Sequence, residues 1–173
     1  MKRLFLAVAA LAALAAPAMS ASLKVDTSIG CSFTIALRPD LAPKHVAQIT
    51  KLAKAGFYDG IVFHRVIDGF MAQTGDPTGT GMGSSKEPDI PAEFTSTPFV
   101  RGVVGMARSD QPDSANSQFF ITFADSSFLN RKYTVWGTVD EEGMQCVDKI
   151  KKGDPQSGAM ADPDKMLKVT VQE

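Results

Sequence analysis

Short stretches in which apolar and polar residues alternate recur along most of this chain and restrict it to a fold built of strands. They lie at residues 23–27, 31–37, on either side of Asp68-Gly69, and at 103–107, 118–123, 133–139 and 167–171. In the second of these, Cys31, Phe33, Ile35 and Leu37 share one face, the period of a pleated strand with one buried side. Two segments carry helical spacing instead. Residues 43–55 begin with Pro43, whose missing N–H suits a first helical turn, place Val46, Ile49 and Ala53 on one face, and stop at Gly56. Residues 143–152 form the second, stopped by Gly153. Regularly spaced strands with Gly and Pro turns and two helices predict an all-β dominated fold, a closed antiparallel barrel with the helices over its open ends. Lys44, Lys51 and Lys54 read as the solvated face of the first helix.

The first residues belong to a different kind of segment. Lys2 and Arg3 precede an apolar run, residues 4–16, and the small residues Ala16, Pro17, Ala18, Met19, Ser20 and Ala21 follow it. That is the three-part pattern of a secretory signal peptide, with cleavage expected after Ala18 or Ala21. Residues 1–21 are therefore assigned to a leader and residues 22–173 to a single domain, with the mature protein expected to be exported. The run is shorter than the roughly 20 apolar residues of a membrane span, so no membrane association is expected once the leader is gone.

Loss of Lys2 and Arg3 takes the formal net charge from −1 to about −3 with no basic cluster, which excludes a phosphate-backbone partner. Residues 75–91 form a long loop rich in Gly, Ser and Pro, but Gly79, Gly81 and Gly83 match neither common nucleotide fingerprint and Pro88 and Pro91 stand where a helix should start. There is no Gly-x-Ser-x-Gly elbow for a nucleophile. Cys31, Cys146, His45 and His64 lack the local spacing of a zinc site, and no metal is expected. The two cysteines are read as separately buried thiols, with a disulfide as the alternative, because sequence does not establish that their Cα atoms approach within about 7 Å.

Residues 63–76 read FHRVIDGFMAQTGD and set Arg65 and Gln73 among Phe, Ile, Val and Met. A charge in apolar surroundings costs free energy unless it has a partner and a task. Together with GMARS at 105–109, NSQFFI at 116–121, FLNRKYTVWG at 128–137 and EGM at 142–144, this block resembles the cyclophilin-type peptidyl-prolyl cis/trans isomerases, and in particular their exported bacterial members. The resemblance spans nearly all of residues 23–171. It implies an eight-stranded antiparallel β-barrel capped by two helices, catalysis of rotation about X-Pro amide bonds in exported proteins as they fold, no cofactor, and proline-containing unfolded or extended polypeptides as partners of a monomeric enzyme.

The same resemblance implies roles for individual residues. Arg65 would be catalytic. Phe70, Met71, Phe120 and Leu129 would form the proline pocket, with Phe128 and Tyr133 at its rim. Gln73 would hold the arginine, Gln118 would help bind substrate, and Ala107 and Arg108 would lie along the extended peptide. The alternative is a binding module or chaperone that holds proline-containing segments in the same groove with turnover incidental. His64 is read as a strand residue with a structural hydrogen bond, not as an acid or base. Phe128 stands where many eukaryotic relatives carry the tryptophan that donates to cyclosporin, and phenylalanine has no such donor, so weak cyclosporin binding is expected. Tyr133 replaces their usual histidine, and Thr74 replaces a usual glycine.

Turn geometry adds a condition on the site that the resemblance implies. A two-residue loop at Asp68-Gly69 would pair Ile67 with Phe70 and put Arg65 and Gln73 on opposite faces of the sheet. A three-residue connection, residues 68–70, sets Arg65 opposite Gln73 with Met71 on the same face. The wider turn is therefore predicted. By the same alternation, Phe119, Ile121 and Phe123 should face one side of their strand and Gln118, Phe120 and Thr122 the other.

Overall fold

The strands emerge where the alternation places them, with ends shifted by a residue or two. The computed structural model describes residues 21–173, so the leader lies outside the described residues except for Ala21. The strands are β1 (Ser22–Thr27), β2 (Ser32–Leu37), β3 (Arg65–Ile67), β4 (Met71–Thr74), β5 (Val103–Met106), β6 (Phe119–Thr122), β7 (Val135–Val139) and β8 (Met166–Gln172). They form one antiparallel sheet in the order β3-β4-β6-β5-β7-β2-β1-β8. Helix α1 (Pro43–Lys54) carries Val46, Ile49, Leu52 and Ala53 on its buried face and packs against β7 and β8.

The sheet curls into a half-barrel and does not close fully, which corrects the predicted closed barrel. Its end strands β3 and β8 do not pair with each other; the segments leading into them meet at an isolated bridge between Val62 and Lys165, with the Phe63 N–H donating to the Asp164 carbonyl and the Met166 N–H to the Ile61 carbonyl. The reason lies at the free edge of β3. Val66 donates its N–H to Gly158 and accepts from Gly153, so a turn of the C-terminal segment occupies the hydrogen bonds that a closing strand would need. His64 also falls outside β3, and both of its ring nitrogens are buried without a partner among the described residues, in place of the expected structural hydrogen bond. Burial holds its pKa below the usual value.

Helix α2 (Glu141–Val147) begins two residues earlier than its expected start and ends five before its expected stop. Asp140 is the cause, since its side chain accepts the Gly143 N–H at 2.8 Å and starts the helix, with Glu141 and Glu142 favourably placed in the first turn. Residues 148–150 continue only as turns. A further correction concerns the cysteines. Cys31 and Cys146 are joined in a disulfide with Cα atoms 5.9 Å apart, tying the start of β2 to α2.

Period-two alternation divides the buried residues into two groups. Phe33, Ile35, Val104, Phe119, Ile121 and Trp136 belong to the main core. Met71, Phe99, Val103, Phe120, Leu129 and Val135 form a second cluster, against which Phe70, Ala107 and Tyr133 pack. Neighbours such as Phe119 and Phe120 thus take opposite faces of β6, and the second cluster forms the floor of the site described next.

Candidate active site

The β3–β4 register pairs Arg65 with Gln73, Val66 with Ala72 and Ile67 with Met71. Asp68, Gly69 and Phe70 form the connection, which is the three-residue turn the site requires. Gly69 adopts φ 67°, a conformation that glycine reaches without steric cost, and the Phe70 N–H donates to the Ile67 carbonyl at 3.1 Å. One face of the hairpin therefore presents Arg65, Gln73 and Met71 together.

Beside that face lies a cavity of about 150 Å³ lined by Arg65, Phe70, Met71, Gln73, Ala107, Arg108, Phe120, Leu129 and Tyr133. Met71 is 1% exposed, Phe120 5% and Leu129 7%, so the floor is apolar and rigidly packed. Phe120 stacks on Phe99 with ring centres 5.8 Å apart, and the Tyr133 ring meets it edge-on at 5.7 Å. Phe128 stands at the rim, 59% exposed and leaning on Phe70 at 5.2 Å.

The guanidinium of Arg65 is held at two of its three nitrogens. Nη1 donates to Gln73 Oε1 at 3.3 Å and Nε donates to the Ser157 carbonyl at 3.0 Å. Among the described residues, Nη2 has no protein acceptor. Gln73 in turn donates to Gln118 Oε1 at 2.9 Å, and Gln118 donates to the carbonyls of Gly81 and Gly83 at 3.0 and 2.8 Å. Both amide atoms of Gln118 are thus used within the protein. It sits on the wall of a second, larger cavity of about 450 Å³, which shares Gln73, Ala107 and Arg108 with the first.

Arg108 lies where the cavities meet. Its guanidinium sits 4.6 Å from the centre of the Tyr133 ring and donates to the Lys132 carbonyl at 2.9 Å. The Ala107 N–H is bound by the Gln118 carbonyl at 2.9 Å, which fixes the strand end along the cavity edge.

The wall formed by residues 81–83 is anchored by a carboxylate. Asp76 is 1% exposed and accepts the backbone N–H groups of Thr78, Thr80, Gly81 and Gly83 at 2.6 to 3.1 Å. Burial disfavours its charge, but the hydrogen bonds from Thr78, Gly83 and Gly81 prevail and lower its pKa to about 2.

The supports that Ser157 and Asp76 give the site are not legible in the sequence blocks. Ser157 contributes through a carbonyl, which carries no residue signature, and Asp76 acts through loop amides. Only the Asp-Pro-Thr-Gly turn chemistry at residues 76–79 hints at the second.

A half-barrel of antiparallel strands carrying an arginine beside an open cavity with an apolar floor defines a class, and comparison with known proteins specifies it. The family model described as cyclophilin type peptidyl-prolyl cis-trans isomerase/CLD matches residues 22–171. A probable peptidyl-prolyl cis-trans isomerase of Brucella suis is 58% identical over 148 residues, covering 79% of this chain and 75% of the relative. The peptidyl-prolyl cis-trans isomerase-like 1 protein of Aspergillus oryzae is 40% identical over 138 residues, covering 76% and 83%. Among solved structures, a Cryptosporidium parvum cyclophilin type isomerase crystallised with the dipeptide Ala-Pro superimposes with a TM-score of 0.78 at 26% identity, covering 88% of this chain and 99% of that one. A cyclophilin from Hirschia baltica gives 0.76 at 29% identity, covering 86% and 73%. The chain belongs to the cyclophilin-type peptidyl-prolyl cis-trans isomerases, and it is an enzyme of X-Pro bond rotation.

Proposed function

We propose that Arg65 is the catalytic group and that the cavity floored by Met71, Phe120 and Leu129 receives the proline ring. Rotation about the amide removes the resonance behind a barrier of about 18 to 20 kcal/mol and leaves a lone pair on the twisted proline nitrogen. A donor aimed at that nitrogen stabilises only the twisted state, so it raises the rate and not merely the affinity. Arginine suits the task because it is always protonated and its fork can be held rigidly. The observation that carries this reading is the double tether of Arg65, through Gln73 at Nη1 and Ser157 at Nε, which leaves Nη2 directed to neither.

A hydrogen bond from a charged donor is worth roughly 1.5 to 3 kcal/mol, and about 1.4 kcal/mol is tenfold in rate. The remaining acceleration comes from the cavity, which grips the ring and strips water from a planar amide more polar than its twisted form. Phe70, Phe128 and Tyr133 flank the ring. Ala107, Arg108 and the wall bearing Gln118 lie along the extended chain. A protease-coupled assay on a short X-Pro peptide tests the assignment. Loss of turnover in Arg65→Ala with retained fold is the expected result, and undiminished turnover contradicts it.

The leader pattern at residues 1–21 supports an exported, periplasmic enzyme that acts on proline-containing exported polypeptides as a monomer. The Cys31–Cys146 disulfide fits an oxidising compartment. Cleavage after Ala18 is favoured over Ala21, because the Ala21 carbonyl accepts the Leu37 N–H at 3.1 Å at the start of the sheet. The intact mass of the exported protein distinguishes a chain beginning at Met19 from one beginning at Ser22, and a leader still attached contradicts export.

A further inference from the structure

The tether on Arg65 Nε depends on a turn distant in sequence. Asp154 Oδ1 accepts the N–H of Gln156 at 3.0 Å, the N–H of Ser157 at 2.8 Å and the Ser157 hydroxyl at 2.9 Å. The Gly158 N–H returns to the Asp154 carbonyl at 2.8 Å, and the Ser157 Oγ accepts from Ala159 at 3.2 Å. These bonds depress the pKa of Asp154, the backbone and hydroxyl bonds from Ser157 most of all.

The turn is docked on β3 at the residue beside Arg65. Val66 donates to the Gly158 carbonyl at 2.9 Å, and Gly153 donates to the Val66 carbonyl at 2.9 Å. Gly158 is buried with φ +75°, and a Cβ there would lie 2.7 Å from Ile67 Cγ1 and 2.9 Å from Arg65 Cγ. Contact this close leaves the Ser157 carbonyl little freedom except through the turn that carries it. Asp154 itself is exposed, so its replacement opens no cavity.

We propose that Asp154 is a positioning residue for the isomerisation: it folds the 154–158 turn so that the Ser157 carbonyl fixes Arg65 Nε and sets the angle of the guanidinium towards the prolyl nitrogen. The inference rests on the reading of Arg65 as the catalytic donor. Asp154 touches no substrate atom and moves no proton. All three bonds to its side chain fall on Oδ1, an oxygen that asparagine retains and alanine lacks.

The test compares kcat and KM on one X-Pro peptide for wild type, Asp154→Ala, Asp154→Asn, Arg65→Ala and the Arg65→Ala/Asp154→Ala double variant, with hydrogen-exchange NMR of the Arg65 guanidinium Nε–H. Loss of one aligned hydrogen bond is expected to lower kcat of Asp154→Ala by about two- to tenfold, with KM changed less than about twofold. Asp154→Asn is expected to restore wild-type kcat. The Nε–H is expected to exchange faster in Asp154→Ala, and Asp154→Ala is expected to have no effect when Arg65 is already alanine. A wild-type kcat in Asp154→Ala overturns the proposal. So does an equal loss in both backgrounds, which would mean that the turn acts independently of the arginine, or an Asp154→Asn variant as slow as Asp154→Ala. Full activity in Arg65→Ala would overturn the catalytic assignment itself, an outcome recognisable from that single variant.

Discussion

Arg65 and Gln73 stand directly opposite one another on β3 and β4, and Nη1 of the arginine donates to Oε1 of the glutamine across 3.3 Å. Gln73→Ala removes this partner and also the donor to Gln118, while the cavity floor stays intact. The expected outcome is a fall in kcat of about two- to tenfold with a smaller change in KM, measured by steady-state assay.

Arg108 is expected to act on the shape of the site rather than on the chemistry. Its guanidinium stacks on Tyr133, whose ring meets Phe120 edge-on. Arg108→Ala should release Tyr133 and raise KM more than it lowers kcat. A variant with wild-type KM would show that the Lys132 carbonyl and the ring are held without it.

The disulfide bears on stability and not on turnover. It closes a sequence separation of 115 residues, and both cysteines pack with the main core and not with the site cluster. The Cys31→Ser/Cys146→Ser variant is expected to lose roughly 2 to 5 kcal/mol in chemical denaturation while keeping its kcat at temperatures where it remains folded. A pair of variants with equal midpoints would contradict this.

Acid should loosen the fold in two stages. The pKa values of His45 and His64 are depressed by burial, the former despite the opposing hydrogen bond to Glu93. The unfolded chain therefore binds more protons than the native one below about pH 6.5, and stability falls as pH drops through that point. Asp76, lowered to about 2, adds stability that is complete above its unfolded value and is lost as pH falls towards 2. Its contribution is on the order of 2 kcal/mol, and Asp76→Asn should abolish this second stage in a pH series of urea midpoints.

The alternation in residues 31–37 and 118–123 made the strands and the two faces of β6 legible before any coordinates. The need to bring Arg65 and Gln73 onto one face made the three-residue turn legible too. Other features arise from contacts that residue types do not encode. The half-barrel stays open because a turn at residues 153–158 occupies the edge of β3, and that docking is backbone to backbone. The disulfide depends on a Cα approach that only tertiary packing determines. Helix α2 starts at Glu141 and not at residue 143 because the Asp140 carboxylate caps the Gly143 N–H, a contact that helical spacing does not encode. Gln118, expected to help bind substrate, lines the second cavity, and its bonds to Gln73 and the loop carbonyls are contacts that its residue type does not reveal.

The central claim is that Arg65 acts on the twisted amide and the cavity acts on the ring. NMR exchange between the cis and trans forms of a bound X-Pro peptide at saturation, with wild type and Arg65→Ala compared alongside the peptide dissociation constant, separates the two. The exchange rate on the enzyme is expected to fall by roughly ten- to hundredfold while the dissociation constant changes by less than about threefold. An unchanged exchange rate with weakened binding would contradict it and make Arg65 a substrate anchor.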